Sequence, residues 1–348
     1  MQFLEQVPLA PYTTFQIGGP ARWFAEAASE DDIAAGIAFA AERRLPLFVL
    51  GGGSNLLVSD AGFSGLVLRI ALEGITSIQE NGRVIVSSAA GEDWDDMVAY
   101  AVGAGYAGVE CLSGIPGTVG GTPVQNVGAY GQEVSQTIVR VRAFDRRTTQ
   151  FVNLTVSACG FSYRRSIFNS TERGRYIVSR VDYSLRTDTP ASFAYADLSR
   201  YFAARNMVTP TLTEVREAVR TIRAQKGMLL VAGDADCRSA GSFFKNPIVP
   251  VSVLDSLAQE LGVEKQTIPA YPAQASEVKL SAAWLIERAG FAKGYALGNA
   301  GISSRHTLAL INRGGASARE VVALRDQVID AIWSRFAIRL EPEPVWLG

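Results

Sequence analysis

The sequence predicts a globular chain of mixed α+β class that is divided into two or three domains. Domains commonly hold about 100–200 residues, so a length of 348 residues points to more than one. Hydrophobic residues make up 48% of the chain and charged residues 19%, which is enough apolar material for a sizeable core. Short apolar runs typical of strands alternate with longer stretches of helical periodicity.

The charge and hydropathy of the chain exclude two kinds of partner. A formal net charge of −1 and a pI near 6.0 do not supply the basic excess that nucleic-acid binding requires. No apolar run approaches the roughly 20 residues that span a bilayer, and the N-terminus lacks the apolar core of a signal peptide. We therefore expect no nucleic acid and no membrane as partners, and a cytoplasmic location.

Cysteine and histidine are too scarce for several common kinds of site. Cys111, Cys159 and Cys237 are odd in number and far apart, which fits neither a disulfide framework nor a zinc site. His306 is the single histidine, so a histidine-based triad and a multi-histidine metal centre are excluded. The sequence thus predicts no metal site, and we expect His306 to be a surface or loop residue.

Residues 1–72 form the first predicted subdomain, which is centred on a run of glycines. Ser29 is expected to cap a helix over residues 30–44, and the apolar run of residues 47–50 indicates a buried strand. That strand breaks into Gly51-Gly52-Gly53, where successive N–H groups can form an anion site for a pyrophosphate. A plain tight loop is the alternative. It is not a P-loop, because no Gly-Lys-Ser/Thr follows.

Residues 73–223 form a second, more strand-rich region. The glycines of residues 103–108 match G-x-G-x-x-G, but a helix over residues 92–102 precedes them where a dinucleotide fingerprint needs a strand. We interpret them as a helix end and a turn. Further elements are expected as strands over residues 75–79, 83–87, 138–145, 150–154 and 175–185, and as a helix over residues 213–223.

A second glycine-rich stretch covers residues 113–131. Its six glycines and two prolines exclude a regular element, while apolar residues such as Ile115, Val119 and Val127 make it unlike a flexible linker. The combination favours backbone wrapped around a large, partly apolar ligand. An elaborate buried loop is the alternative. A domain boundary is expected near Gln225, followed by helices near residues 251–262, 281–290 and 317–335.

Five separate segments follow one another in a specific order from residue 50 to residue 343: LGGGSNLLVSD, GIPGTVGGTPVQNVGAYG, YRRSIF, AGSFFKNP and LEPE. Together they resemble the UDP-N-acetylenolpyruvoylglucosamine reductases, a family of flavoenzymes in bacterial peptidoglycan precursor synthesis. Each segment has modest specificity by itself, but their joint order across nearly the whole chain is highly specific.

The resemblance implies an α+β fold with a vanillyl-alcohol-oxidase/PCMH-type FAD-binding part and a C-terminal α+β substrate-binding domain. Residues 1–72, joined by the tail 340–348, and residues 73–223 would be the two FAD-binding subdomains, and residues 224–339 the substrate-binding domain. FAD would be bound without a covalent link, because His306 lies outside both glycine-rich stretches. The residues expected to bind FAD are Gly51, Gly52, Gly53, Ser54, Asn55, Leu56, Gly114, Ile115, Pro116, Gly117, Thr118, Gly120, Gly121, Gln125, Asn126 and Gly128.

The family's reaction implies the remaining site residues. NADPH is the co-substrate, and the enolpyruvyl ether of UDP-N-acetylglucosamine is reduced. By resemblance, Arg164 would stabilise negative charge on the substrate carboxylate, Ser242 would protonate the enol intermediate, and Glu343 would help to stabilise it. The neighbouring Arg165 is assigned to the surface. Tyr195 would cap the substrate, as in the family's longer type, and the expected substrate contacts are Tyr163, Tyr195, Lys226, Asn246, Tyr271 and Lys293.

Several points stay open in the sequence. Glu341 neighbours Glu343, which is chosen because the family's glutamate is the second of a Glu-Pro-Glu pair. Pro344 stands where the family usually has valine, and Lys226-Gly227-Met228 departs from the Lys-Leu-Pro-Asp-Pro of some longer members. We expect a monomer. The alternatives are another flavin oxidase or dehydrogenase of the same fold, and a nucleotide-sugar binder without catalysis.

Overall fold

The computed structural model describes residues 1–187, 191, 193, 195–274 and 276–348. Contacts divide the chain into two compact units, and the chain passes between them more than once. The first unit comprises Met1–Val7, Pro20–Gly53 and Phe63–Gln225, and the second comprises Pro8–Gly19, Ser54–Gly62 and Lys226–Gly348.

The boundary between the units at Gln225 lies close to the predicted one. Two stretches that the sequence placed in the first subdomain, Pro8–Gly19 and Ser54–Gly62, are grouped with the second unit instead. The reason is that each has its partners there, as described below. The finer division of the N-terminal region at residue 72 stays a prediction.

Helices and strands alternate along both units. The helices are α1 (Glu30–Glu42), α2 (Trp94–Gly103), α3 (Val156–Cys159), α4 (Ala196–Ala203), α5 (Leu212–Gln225), α6 (Val253–Leu261), α7 (Ala282–Arg288) and α8 (Ala318–Phe336). The strands are β1 (Leu4–Pro8), β2 (Pro20–Ala27), β3 (Leu47–Leu50), β4 (Leu56–Val58), β5 (Phe63–Ile70), β6 (Ile75–Glu80), β7 (Arg83–Ala89), β8 (Gly128–Ala129), β9 (Gln132–Glu133), β10 (Ile138–Asp145), β11 (Gln150–Thr155), β12 (Tyr176–Arg186), β13 (Ile248–Pro250), β14 (Ala270–Pro272), β15 (Glu277–Leu280), β16 (Ala296–Leu297), β17 (Ala300–Ile302), β18 (Leu310–Asn312) and β19 (Val345–Leu347).

The first sheet of the N-terminal unit has the strand order β1-β2-β5-β3, and β5 runs parallel to both β2 and β3. The predicted cap of α1 is confirmed, since Ser29 Oγ accepts a hydrogen bond from Asp32 N at 3.1 Å. Ile33 of α1 joins Leu66 and Leu68 of β5 in the core. Strand β3 of this parallel sheet ends at Leu50, and the first glycine-rich stretch begins directly after it.

The second sheet of this unit is antiparallel throughout, in the order β11-β10-β12-β7-β6. The strand predicted over residues 138–145 is confirmed as β10. Trp94 of α2 is fully buried, and its Nε1 donates to Leu112 O at 3.0 Å, just ahead of the second glycine-rich stretch. Both sheets contribute to one connected core, which fixes the two stretches relative to each other.

The second unit is built from short strands and the helices α6 to α8. Its core includes Phe243, Phe244, Leu285 and Ile332. The long helix α8 begins with a capping box, and the Asp60 carboxylate accepts additional hydrogen bonds from its first two amides at 2.7 and 3.1 Å. This contact explains why the stretch that contains Asp60 belongs to the second unit.

The tail and the N-terminal insertion also have partners in the second unit. Strand β19 pairs in parallel with β4. Asn312 is buried and its Nδ2 donates to Phe15 O at 3.0 Å, which ties the Pro8–Gly19 stretch to β18. The described part of the chain contains no helix long and apolar enough to span a bilayer.

Candidate active site

The two glycine-rich stretches meet in the first unit. A Cβ placed on Gly52 would lie 2.7 Å from Gly117 Cα and 3.2 Å from Thr118 N. A Cβ on Gly51 would lie 2.8 Å from Thr118 Oγ1. Contacts this short leave no room for a side chain, so the close approach of the two backbones requires glycine. The structure thus brings together two segments that the sequence identified separately.

Hydrogen bonds within the protein hold the second stretch in shape. Gly114 N donates to Asp95 Oδ1 at 2.6 Å, and Gly120 N donates to a backbone carbonyl at 2.9 Å. These amides therefore form the loop and are not directed at a ligand. In the first stretch, by contrast, the amides of Gly52 and Gly53 make no hydrogen bond to another described residue. They are the donors that a bound phosphate group would use.

Thr118 supplies a further polar group at the same place. Its Oγ1 is buried and has no hydrogen-bond partner among the described residues. An unsatisfied buried hydroxyl costs about 1–3 kcal/mol, so an acceptor or donor from a ligand would relieve it. A backbone cradle, two available amides and one unsatisfied hydroxyl together fit a cofactor that carries phosphates.

The end of the second stretch packs against the YRRSIF segment. Asn126 Nδ2 donates to Glu133 Oε2 at 2.9 Å and to Ser162 O at 3.1 Å. Arg164 Nη2 donates to Gly128 O at 2.7 Å. The guanidinium of Arg164 is therefore fixed beside the loop that the sequence assigns to the cofactor.

Three residues of this region have a left-handed backbone, which is uncommon for residues with a side chain. Their φ angles are +45° for Asn126, +50° for Tyr130 and +54° for Arg164. Asparagine tolerates this conformation, whereas arginine and tyrosine adopt it at a cost. Such strain concentrates at functional sites, where the surrounding structure enforces it.

A tight turn separates Arg164 from its neighbour Arg165. The backbones of Ser162 and Arg165 exchange hydrogen bonds of 2.9 and 3.0 Å, so the two residues between them stand at the tip of the turn. Arg165 is exposed and Arg164 is half-buried. The turn therefore separates an arginine directed to solvent from one held against the glycine-rich loop.

Ser242 and Glu343 come together in the second unit. Glu343 N donates to Phe243 O at 2.9 Å, and Asn55 Nδ2 donates to Glu343 O at 3.3 Å. Phe243 N is in turn bound to Leu308 O at 2.7 Å, and the Phe243 ring is buried. The backbone of Glu343 is thus held from both sides, beside the residue that follows Ser242.

The two glutamates of the tail have different surroundings. The side chain of Glu341 is 70% exposed and forms an ion pair with Lys245 Nζ at 2.6 Å. Glu343 is half-buried, and Pro344 after it restricts its backbone to an extended conformation. The next amide, that of Val345, donates to Asn55 O at 2.9 Å. Pro344 therefore fits between two ordered hydrogen bonds without disturbing either.

Two predicted substrate residues lie near the single histidine, also in the second unit. His306 occupies the loop between β17 and β18 and is half-buried. Burial, together with the positive charges of Lys226 and Lys293, lowers the pKa of His306 to about 4. The loop position agrees with the sequence, but the electrostatic link to the two lysines could not be predicted from residues so far apart in the chain.

The other predicted substrate residues lie at several places. Tyr271 is exposed on β14, and Asn246 Oδ1 accepts a hydrogen bond from Ala282 N at the start of α7, at 2.9 Å. Tyr163 is half-buried at the Arg164 turn. Tyr195 is exposed and precedes α4, with its ring 5.4 Å from that of Tyr130.

The structure distributes the predicted residues between the two units. The first contains Gly51–53, the second glycine-rich stretch, Tyr163, Arg164 and Tyr195, and the second contains Ser54, Asn55, Leu56 and the predicted residues from Lys226 onward. Sequence reasoning missed Asp95 and Arg223, which contact the loop, and the hydrogen bond that links Arg223 to Tyr130 within the loop. The helical spacing of Arg216, Arg220 and Arg223 was the one signal available, and by itself it indicates only a charged helix face.

Comparisons with known proteins agree with this geometry. Residues 21–154 match the family described as an FAD binding domain, and residues 233–347 match the UDP-N-acetylenolpyruvoylglucosamine reductase C-terminal domain. A UDP-N-acetylenolpyruvoylglucosamine reductase from Thermobifida fusca is 46% identical, over 99% of this chain and 98% of the relative. One from Nocardia farcinica is 47% identical, over 99% of this chain and 89% of the relative. The crystal structure of such a reductase from Thermus caldophilus has a TM-score of 0.65 at 26% identity, and covers 100% of this chain and 98% of that one.

The fold and the glycine cradle define an α+β flavoprotein with an FAD-binding domain and an added C-terminal domain. Within that class, the C-terminal match favours a reductase over the flavin oxidases that the sequence left as an alternative. The chain belongs to the UDP-N-acetylenolpyruvoylglucosamine reductase family, and it is an FAD-dependent oxidoreductase. The close approach of Gly52 and Gly117 and the unsatisfied Thr118 hydroxyl fit the phosphates of FAD.

Replacing Gly52 by alanine should weaken FAD binding. The added methyl group collides with Gly117, and overpacking of this kind costs about 1–3 kcal/mol, so the Kd for FAD should rise at least about fivefold. Quenching of flavin fluorescence on titration of the apoprotein measures it. Gly103→Ala is the matched control, because a Cβ there meets no atom within 4 Å. Equal affinities for FAD in the two variants would contradict the cradle.

The imidazole of His306 should remain neutral through the physiological range. Its pKa of about 4 lies below that of an unfolded histidine, so acidification below about pH 6.5 protonates the unfolded chain first and lowers the free energy of unfolding. The one histidine C2–H resonance should keep its chemical shift between pH 8 and about 5.5 in NMR spectra. A titration midpoint near 6.5 would show that the two lysines and burial do not act on it.

Proposed function

We propose that this protein uses NADPH to reduce the enolpyruvyl group of UDP-N-acetylglucosamine enolpyruvate, which yields UDP-N-acetylmuramate for peptidoglycan precursors. The observation that carries the proposal is the pairing of the Ser242 and Glu343 segments through Phe243 O. This pairing lies in the region that matches the reductase C-terminal domain. A flavin oxidase that shares only the N-terminal fold would not require it.

Non-covalent FAD is the cofactor in this proposal. When bound, FAD would supply the hydride-transfer chemistry, between NADPH and the vinyl carbon remote from the substrate carboxylate. The amides of Gly52 and Gly53 and the Thr118 hydroxyl would hold its phosphates, and Asn126 and Gly128 are proposed to bind its flavin part. Neither glycine-rich stretch contains a histidine to form a covalent link to the flavin.

Arg164 stabilises the negative charge that develops on the substrate. Addition of hydride to the vinyl group produces an enolate whose charge spreads onto the carboxylate oxygens. The planar guanidinium matches carboxylate geometry and remains charged at every physiological pH. Because Arg164 Nη2 is already anchored on Gly128 O at 2.7 Å, the group is oriented before the charge appears.

Ser242 donates the proton that completes the reduction. Its Oγ makes no hydrogen bond to another described residue, so the hydroxyl is available to a substrate. An alcohol is a weak acid in water, but the enolate carbon is strongly basic and a positioned O–H can protonate it. Gly241, with a φ of +72°, and the buried Phe243 fix the backbone on either side of Ser242.

Glu343 assists at the same stage. In its protonated form it donates a hydrogen bond to the carboxylate side of the enol intermediate. Its exposed neighbour Glu341 is engaged by Lys245, which supports the assignment of this role to the second glutamate. The two hydrogen bonds on the backbone of Glu343 fix the position from which its side chain extends, relative to Ser242.

The substrate diphosphate and sugar require positive charge and hydrogen-bond donors. Lys226 and Lys293, the two lysines that act on His306, supply the charge, and Tyr271 and Asn246 add polar contacts. Because Asn246 Oδ1 is bound to Ala282 N, its Nδ2 is the atom directed to the ligand. Tyr163 and Tyr195 complete the set, with Tyr195 as the cap.

We further propose that the enzyme works as a monomer in the cytoplasm. Residues 1–72 with the tail 340–348, and residues 73–223, serve as the two FAD-binding subdomains in this account. Residues 224–339 then serve as the substrate-binding domain. Strand β19 of the tail pairs in parallel with β4, which lies within residues 1–72 in sequence, and both strands are grouped with the second unit.

Replacing Ser242 by alanine should separate the two half-reactions. NADPH should still reduce the flavin, because Ser242 acts on the second substrate. Turnover of the enolpyruvyl substrate should fall at least about a hundredfold, the usual contribution of a general acid. Stopped-flow absorbance at the flavin band under anaerobic conditions measures each half-reaction separately.

Ser252→Ala is the control, since Ser252 is an exposed residue of the same unit and its side chain does not cap α6. If Ser242→Ala reoxidised its flavin with the substrate as fast as Ser252→Ala, the proton donor would have to be another group.

A further inference from the structure

Helix α5 carries two arginines that bind one carboxylate, and a third that binds the cofactor loop. Arg216 pairs with Asp95 through two hydrogen bonds of 2.5 and 3.0 Å, and Arg220 contacts the same carboxylate. Burial raises the pKa of Asp95, but the hydrogen bonds from Arg216 and Gly114 and the two guanidinium charges outweigh it and lower the pKa overall. Asp95 is therefore a charged acceptor fixed between α2 and α5.

The peptide groups of Gly114 are held from both directions. Its N–H donates to Asp95 Oδ1 at 2.6 Å, and its carbonyl accepts from Arg223 Nε at 3.0 Å. Gly114 has a φ of +69°, a conformation that a side chain would strain. The start of the cofactor loop is thus positioned by side chains of α2 and α5.

Arg223 also reaches Tyr130 at the other end of the glycine-rich stretch. The Arg223 guanidinium and the Tyr130 hydroxyl share a hydrogen bond. Burial lowers the pKa of Arg223, and burial raises the pKa of Tyr130 to about 12, so the Tyr130 hydroxyl keeps its proton at neutral pH. A guanidinium has five N–H donors in a fixed plane, and one such group can hold two partners at once.

Tyr130 connects this network to Tyr195. The two rings meet edge to face, with centroids 5.4 Å apart and planes at 82°. Tyr130 also packs against the apolar cluster between α4 and α5, which includes Leu198 and Val219. Tyr195 directly precedes α4, and its side chain makes no cap hydrogen bond to that helix. The ring of Tyr130 is therefore held in place, and the ring of Tyr195 packs against it.

We propose that Arg223 and Tyr130 are positioning residues that connect the cofactor loop at Gly114 to the substrate cap Tyr195. Arg223 holds the loop through the Gly114 carbonyl and holds the Tyr130 hydroxyl, and the Tyr130 ring orients Tyr195. The inference rests on the proposed function, because that function supplies the role of Tyr195. Neither Arg223 nor Tyr130 touches the reacting atoms in this account.

Tyr130→Phe tests the connection in the FAD-loaded, full-length enzyme. The substitution removes the hydrogen bond to Arg223 and keeps the ring. The KM for the enolpyruvyl substrate should rise about tenfold, the effect of one hydrogen bond to a charged group, while kcat changes less than about twofold. The Kd for FAD and the rate of flavin reduction by NADPH should not change, because Arg223 still holds Gly114. Tyr201→Phe, which removes a hydroxyl from α4 itself, is the control and should leave KM unchanged.

Tyr195→Ala is the second variant, and the Tyr130→Phe substitution is also made in it. The comparison distinguishes an effect of Tyr130 on the position of Tyr195 from a general loss of structure. If Tyr130 acts through Tyr195, adding Tyr130→Phe to Tyr195→Ala should raise KM no further. Two independent effects would multiply instead, and that result would overturn the inference. An unchanged KM in the single variant Tyr130→Phe would overturn it equally.

Arg223→Lys gives a second, independent measurement. A single ammonium cannot reproduce both hydrogen bonds, so FAD affinity and substrate KM should worsen together in this variant, whereas Tyr130→Phe affects KM only. Circular dichroism shows whether each variant is folded. If Arg223→Lys does not fold, the measurements on Tyr130→Phe alone test the inference. Wild-type enzyme without turnover of the enolpyruvyl substrate would refute the proposed function. Normal wild-type turnover with an unaffected Tyr130→Phe variant would refute this inference.

Discussion

The close approach of Gly52 to Gly117 is the constraint on which the cofactor site depends. The separation leaves no room for a side chain at Gly51 or Gly52, so the first loop can approach the second only with glycine at these positions. Each loop reaches this point from a rigid element: the first leaves β3, and the second follows the buried Trp94 of α2. One continuous core beneath both sheets keeps these elements in place. The donors and the Thr118 hydroxyl are therefore organised before any ligand binds.

A comparable constraint acts in the second unit. The peptide of Glu343 is fixed by Phe243 O on one side and by Asn55 Nδ2 on the other. Three segments that are far apart in the sequence thus converge, and the tail strand β19 continues the same arrangement by pairing with β4. Backbone hydrogen bonds of this kind set side-chain position more closely than a flexible loop could, which suits residues that act on one substrate.

Local patterns in the sequence predicted many of the helices and strands. Ser29 with the acidic residues after it predicted α1, and the apolar run of residues 47–50 predicted β3, because capping and periodicity are properties of short segments. The same reasoning missed β2, whose strand character depends on pairing with β5, and the edge strand β1 that lies next to β2. Asp95 and Arg223 were missed for a related reason: a charged residue on a helix looks solvated until the tertiary partner is known. The motifs identified Gly51–53 and Gly114–121, but not that the amides of Gly114 and Gly120 bind the protein itself.

Anaerobic spectroscopy of the wild-type protein follows both half-reactions of the proposed function. The purified protein with FAD is first treated with NADPH and then with UDP-N-acetylglucosamine enolpyruvate, while the flavin absorbance is followed. The account predicts that NADPH bleaches the flavin and that the second substrate restores its colour with formation of UDP-N-acetylmuramate. A flavin that is bleached but not reoxidised by this substrate would contradict the proposed function and leave the fold intact. A protein that binds no FAD would contradict the site itself.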